Sequence, residues 1–398
     1  MSVSRNEWND FHSASYGHGA FARNPSQDNL MSFKAASLFA SVCAVSLFAC
    51  GNNTETPATP IVTPETRMPA VDPTTEPVDL PSMPDADMGE VLAKLASLGG
   101  KPIETLEPTE ARKQPTPADA VKALMAEKNI TAMPAVTTKD VTYPAGSGTQ
   151  KARIYMPDGA KGPLPVVLYI HGGGWVIADI DVYDASPRVL AGLTKAIVVS
   201  IEYRHAPEAK FPAAHDDANA AYKWVLDNAA KWGGDPKNVA VVGESAGGNM
   251  AVTVAMDARD KGMIAPKTVV AVYPVANTSP DTQSKKTYAD AKPLNGPMLD
   301  WFFKNALKDP AEASDPRLNL VAAKLNGLPP ISIIVAEIDP LHDDGTTLAD
   351  AIRKAGGTVD VKEYAGVTHE FFGMGAVVAD AKNAEDYAAN KLKSAFGN

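Results

Sequence analysis

The chain has 398 residues, 45% hydrophobic and 21% charged, the profile of a globular protein with a sizeable core. Its formal net charge of −10, with no basic stripe, argues against a nucleic-acid partner. Its two cysteines, Cys43 and Cys50, lie near the N-terminus, so the body has no disulfide or cysteine metal site; its seven histidines lack metal-ligand spacing such as H-E-x-x-H.

Residues 1–30 are polar and unpatterned, and read as a non-native extension ahead of a true start at Met31. Residues 31–50, MSFKAASLFASVCAVSLFAC, read as a secretory signal segment. Lys34 is its small positive region, and the apolar run over 35–49 is too short to span a membrane comfortably, since a spanning helix needs about 20 residues. The closing SLFAC resembles a bacterial lipobox, with Leu47, Ala49 and Cys50 in place and a bulkier Phe48 between them. That predicts lipidation at Cys50 and a place in the cell envelope, lipid-anchored, periplasmic or secreted. The competing reading is a buried helix in a cytoplasmic protein. Residues 51–84 are rich in Thr and Pro and lack hydrophobic periodicity, which predicts a disordered tether.

From residue 85 the composition becomes globular. MGEVLAKLASLGG and TPADAVKALMAEKNI carry apolar residues at helical spacing and predict a helical cap region over 85–135. DVTYPAG and KARIYMP then read as an antiparallel pair that opens the main domain over 136–398. Strands are predicted at 165–170, 196–201, 238–243, 267–273, 331–336 and 358–364, and helices at 187–194, 213–231, 246–260, 344–356 and 380–395. Such alternation predicts an α/β fold with a mostly parallel central sheet flanked by helices, whose ligands bind beyond the carboxyl ends of the strands. Residues 276–328 break the alternation, with a helix around GPMLDWFFKNAL near the pocket mouth.

One stretch carries chemistry. VVGESAGGNM places Ser245 where a β-branched run meets an alanine-rich helical segment, among Gly243, Ala246, Gly247 and Gly248. A serine on so sharp a turn needs small neighbours, and G-x-S-x-G in this setting is the nucleophile elbow of α/β-hydrolases. A serine hydroxyl needs a base, and the fold orders the partners Ser, then Asp or Glu, then His. His342 and His369 follow Ser245, and His369 lies just past the last strand. The preceding strand leads into EIDPLHDDG, which offers Glu337, Asp339, Asp343 and Asp344. Asp339 stands just beyond the strand, whereas Asp343 and Asp344 read as the start of the next helix, complementing its dipole. His342 is the weaker candidate base. PVVLYIHGGGWV supplies an oxyanion hole: Gly172, Gly173 and Gly174 let backbone N–H groups approach a small oxygen, and the Ala246 N–H completes the set. The other reading of HGGG is a flexible turn. His171 is expected to fix the glycine loop by a hydrogen bond rather than to act as a base.

With these residues in place, the chain resembles the hormone-sensitive-lipase-like esterases, from about Leu106 to the C-terminus. HGGGWVIADIDVYD, YRHAPEAKFPAAHDDANAAYKWV, GESAGGN, SDPRLNL, AEIDPLHDDG and VTHEFF are similar to that family's blocks, in the family's order. The resemblance implies Ser245, Asp339 and His369 as a catalytic triad, an oxyanion hole from Gly173, Gly174 and Ala246, and an N-terminal helical cap over the acyl pocket. Three positions depart from the pattern: Glu244 for a commoner aspartate, a swap that should matter little, His342 for arginine, and His205 for leucine.

The expected function is a serine carboxylesterase acting on short-chain acyl esters through an acyl-enzyme, the short chain being what the resemblance implies. No metal or organic cofactor is expected. The partner is a small ester, membrane contact comes only through Cys50, and a homodimer is compatible with this reading. Amide or peptide hydrolysis on the same triad, a catalytically silent ligand-binding module, and a deacetylase of the cell envelope are the alternatives. Arg204 and Asp216 are expected to pair structurally. Trp175 is expected near the pocket, Trp301, Phe302 and Phe303 in pocket or core, and Phe371 and Phe372 likewise.

Overall fold

The computed structural model describes residues 82–131, 134–159 and 161–397. The extension, the signal segment with Cys50, and the tether up to residue 81 lie outside the described residues.

Eight strands form one sheet in the order β1-β2-β4-β3-β5-β6-β7-β8. They run Val136–Ala145 (β1), Gly148–Pro157 (β2), Leu164–Ile170 (β3), Ile197–Ile201 (β4), Gly234–Glu244 (β5), Val269–Val272 (β6), Ile331–Ile338 (β7) and Val359–Thr368 (β8). β2 pairs antiparallel with both β1 and β4, and every pairing from β4 through β3 to β8 is parallel. The central strands are near-continuous Val, Ile and Ala because both faces are covered. Val166, Leu168 and Ile170 enter one core, and Val167 and Tyr169 the other. Each fully buried aliphatic side chain contributes roughly 1.5–3 kcal/mol, which makes the sheet the rigid scaffold of the molecule.

The helices are Ala86–Ser97 (α1), Pro108–Ala111 (α2), Pro117–Glu127 (α3), Ala185–Thr194 (α4), Ala213–Asn228 (α5), Ala246–Asp260 (α6), Gln283–Thr287 (α7), Gly296–Ala306 (α8), His342–Lys354 (α9) and Ala379–Phe396 (α10). α5, α6 and α9 cover the first core and α4 and α10 the second. The predicted strands and helices are found to within a few residues, with β1 and β5 starting earlier than expected, at Val136 and Gly234, and the short α2 and α7 not foreseen. Among the described residues, no helix is long and apolar enough to cross a membrane.

α1 to α3 precede the sheet. α3 opens with Pro117 and a capping box between Thr116 and Asp119, which satisfies N–H groups that helix geometry leaves free. Met88 and Val91 of α1 and Ala120, Val121 and Leu124 of α3 share the second core with Phe371 and Phe372. The Asp85 N–H donates to the Gly366 carbonyl at 2.8 Å, and the Ala379 N–H donates to Asp87 Oδ2 at 2.8 Å. Arg112, after α2, donates to Glu208 and to the carbonyls of Val176 and Ala206. These bonds tie the N-terminal helices to β8, to the start of α10 and to the loops after β3 and β4.

Arg204 does anchor the chain before α5, but to Asp217 rather than Asp216: its Nη2 lies 2.7 Å from Asp217 Oδ1. One residue is about 100° of helix rotation, enough to leave Asp216 exposed while Asp217 is fully buried.

Candidate active site

Four residues sit one position beyond four parallel strands: His171 after β3, Ser245 after β5, Asp339 after β7 and His369 after β8. The parallel registers bring these strand ends to one edge, the edge at which open α/β sheets bind ligands.

Ser245 caps α6 with φ 55° and ψ −117°. A non-glycine residue held there costs on the order of 1–3 kcal/mol and persists only where its surroundings impose it. The Ser245 N–H donates to the Val272 carbonyl at 2.9 Å. A Cβ at Gly243 would overlap the Gly247 carbonyl, and one at Gly247 the Ile170 carbonyl. The small residues flanking the serine are thus required by backbone contact.

The Ser245 hydroxyl lies 3.0 Å from His369 Nε2, and His369 Nδ1 lies 2.6 Å from Asp339 Oδ2. A carboxylate only accepts, so Nδ1–H donates to Asp339 and Nε2 is left to accept the serine proton. Asp339 Oδ1 also accepts the Leu341 N–H at 2.8 Å, which fixes the carboxylate plane. All three side chains are buried. Burial pulls the His369 pKa down, but the Asp339 carboxylate, with Glu370 and Glu244 behind it, outweighs burial, so the net shift is upward.

The glycine loop stands beside the serine. Gly173 and Gly174, at φ 90° and 58°, line the cavity with Ser245 and His369. Among the described residues, no backbone acceptor takes either N–H. A Cβ at Gly174 would overlap the Phe302 ring. Gly172 sits behind them and does not line the cavity; its carbonyl accepts from the Tyr203 hydroxyl at 2.7 Å and from His171 Nδ1 at 2.9 Å. His171 thus makes the loop-fixing bond expected of it. Ala246 is fully buried at the first position of α6, where an N–H has no partner within its own helix.

The cavity has a volume of about 1060 Å³. Leu92 and Leu95 of α1, Trp175, and Met298, Phe302 and Phe303 of α8 supply apolar wall. Trp301 turns away and donates its Nε1–H to the Leu106 carbonyl at 3.0 Å. Phe371 and Phe372 belong to the second core.

His342 is not brought to the serine; its Nε2 lies 3.1 Å from Glu363 and its Nδ1 3.2 Å from Asp343. Asp343 and Asp344 open α9 as expected, but Asp344 is fully buried, accepts the N–H groups of Ala276 and Asn277, and pairs with Lys285.

Two acidic groups have roles that the sequence pattern hides. Glu244 is fully buried and accepts hydrogen bonds from the Tyr169 and Tyr273 hydroxyls. Burial pushes its carboxyl up to about 8 against the opposing effect of those two donors. The environment of Glu244 thus disfavours its charged form. Glu370, at φ 69°, places Oε1 3.9 Å from His369 Nε2, and burial raises its pKa too.

Residues 167–373 match the family described as alpha/beta hydrolase fold. The chain is 34% identical over 285 residues to ethyl acetate hydrolase of Pseudomonas putida, a match covering 70% of this chain and 88% of that one. It is 38% identical over 246 residues to carboxylic ester hydrolase LipN of Mycobacterium tuberculosis, covering 60% and 65% respectively. Among solved structures it is similar to the hyperthermophilic esterase of the archaeon Pyrobaculum calidifontis, with a TM-score of 0.71 and 34% identity over 78% of this chain and 99% of that one. It is likewise similar to EstE1, a thermostable carboxylesterase from a metagenomic library, with a TM-score of 0.68 and 37% identity over 73% and 98%.

Proposed function

The chain belongs to the alpha/beta hydrolase fold family and is a carboxylic ester hydrolase, and from that premise we propose that it cleaves short-chain acyl esters through an acyl-enzyme on Ser245. The observation that carries the proposal is the continuous hydrogen-bonded line from Ser245 Oγ through the His369 imidazole to Asp339.

Ser245 Oγ attacks the ester carbonyl carbon while its proton passes to His369 Nε2. Asp339 keeps Nδ1 protonated and stabilises the imidazolium that forms. The negative charge on the former carbonyl oxygen is met by the N–H groups of Gly173, Gly174 and Ala246; one such donor is worth about 3–4 kcal/mol in the transition state. Collapse breaks the C–O bond, and the leaving alcohol takes the proton from His369. Water, deprotonated by His369, then releases the acid and restores Ser245. The short acyl group is supported by the relative named ethyl acetate hydrolase and by the Phe302 ring packed on Gly174 beside the serine.

The test is a p-nitrophenyl ester series from acetyl to dodecanoyl, run on the wild type and Ser245→Ala. Short esters should be hydrolysed fastest, and the variant should lose activity by about 10⁴-fold or more. A variant as active as the wild type, or faster turnover of matched p-nitroanilides, would overturn the reading.

We further propose that lipid on Cys50 holds the enzyme at the cell envelope, a reading supported by the signal-like residues 31–50. Labelling with a clickable fatty acid should mark the wild type and spare Cys50→Ser; equal labelling of both would refute it.

A further inference from the structure

Beside the glycine loop, three side chains converge that the ester chemistry does not use. His171 Nε2 lies 3.4 Å from Glu202 Oε1, and His205 Nε2 lies 3.1 Å from the same oxygen. The three ligand atoms are all within 4.8 Å of one another. Neither nitrogen is aligned for a hydrogen bond, and among the described residues all three atoms are buried without a hydrogen-bond partner. His171 is completely buried. Its Nδ1–H donates to the Gly172 carbonyl, which leaves Nε2 as the ring atom that faces the Glu202 carboxylate.

We propose that His171, Glu202 and His205 form a binding site for a zinc-class divalent cation. Zinc takes three protein ligands of this kind in tetrahedral geometry and leaves the fourth position open. With metal–ligand bonds of about 2.0–2.1 Å, tetrahedral donors stand roughly 3.3 Å apart, which the two measured separations bracket. The surroundings also suit a metal site. Ligating histidines usually donate their second N–H to a carbonyl or carboxylate, as His171 does to Gly172. Glu202 Oε2 accepts the Ile180 N–H at 3.3 Å, which orients the carboxylate and leaves Oε1 for the cation. Glu202 and His205 line the large cavity, which gives a cation a path in.

His205 is the third ligand of the set. A leucine there would leave one histidine and one carboxylate. The bound cation would be coordinated one residue before Gly172 and would stiffen the glycine loop. It stands outside the proposed ester mechanism, so it can fail while that mechanism holds.

The test uses the full chain, stripped with chelator and titrated with Zn²⁺ by calorimetry and by competition with a chromogenic zinc indicator. Melting temperature is followed in parallel, and Co²⁺ absorption reports the coordination geometry. The wild type should bind one Zn²⁺ per chain, melt higher with it, and give the intense visible bands of tetrahedral Co²⁺. His205→Leu and Glu202→Gln should each weaken binding by at least about ten-fold, and melting in chelator checks that each is folded. His369→Asn should bind as the wild type does. Equal binding by the wild type and both folded variants would overturn the proposal, as would loss of the zinc in His369→Asn alone.

Discussion

The Tyr183 hydroxyl donates to the Glu370 carboxylate at 2.7 Å, and that carboxylate stands 3.9 Å from His369 Nε2. The imidazole thus feels two acids at close range, with the buried Glu244 adding a weaker pull in the same direction. Asp339 bonds to its Nδ1, and Glu370 lies on the Nε2 side without a hydrogen bond to it. Both raise the imidazole's pKa against the pull of burial. Only neutral His369 can accept the serine proton, so kcat/KM should fall as pH drops through this raised pKa. Glu370→Gln removes one of the raising charges and should move the acidic limb to lower pH, with little change in the plateau. A pH–rate profile on p-nitrophenyl acetate checks this, and an unmoved limb would refute it.

Asp339→Asn tests the tautomer. The amide oxygen can keep the Leu341 N–H, but the amide NH₂ would face Nδ1 and favour the imidazole with its proton on Nε2. That proton would block acceptance from Ser245. The expected loss in kcat is about 10⁴-fold with the fold intact. Steady-state kinetics and near-UV circular dichroism measure the two parts separately.

Glu244 makes stability depend on pH. Its carboxyl sits at about 8 in the folded protein against an ordinary 4.5. Between those values the folded state binds a proton that the unfolded state has lost, so stability falls as pH rises through the window and the full cost is present above it. Glu244→Gln can still bond both tyrosine hydroxyls without titrating. The melting temperature of the wild type should decline relative to the variant between about pH 5 and pH 9. Parallel curves for the two proteins would contradict the burial argument.

Phe303 is half-buried in the cavity wall, with its ring centroid 6.0 Å from that of Trp175. Phe303→Ala should enlarge the site and raise the octanoate-to-acetate ratio of kcat/KM by about ten-fold. It should also cost roughly 1–3 kcal/mol of stability, below the range for a fully buried ring. The ester series and a denaturant melt provide the readouts.

The hydrogen-bonded line of Ser245, His369 and Asp339 was readable in the sequence because each residue directly follows a strand, and strand ends are easy to locate. The glycines around Ser245 were readable for a similar reason: backbone contact there admits no side chain. Other features depend on distances that no local pattern encodes. Glu370 meets a tyrosine 187 residues away, and Glu244 is gripped by tyrosines 75 and 29 residues away. His171, Glu202 and His205 come together only because β3 and β4 are parallel neighbours. Asp217, not Asp216, meets Arg204 because helix phase decides between adjacent residues. Gly172 belongs to the same glycine run as Gly173 and Gly174, and only the fold of the loop turns it away from the cavity.

The sheet order also bears on the timing of assembly. Ser245 is 124 residues from His369, and Asp339 is 30 residues from it. His369 rides at the end of β8, an outermost strand that meets the sheet through β7 alone. Contacts of long sequence separation form late, because closing the intervening loop must precede any gain from the contact. Intermediates lacking the docked final strand would hold most of the core and no working base. During refolding, far-UV circular dichroism should therefore recover before esterase activity, making turnover a reporter of chain completion.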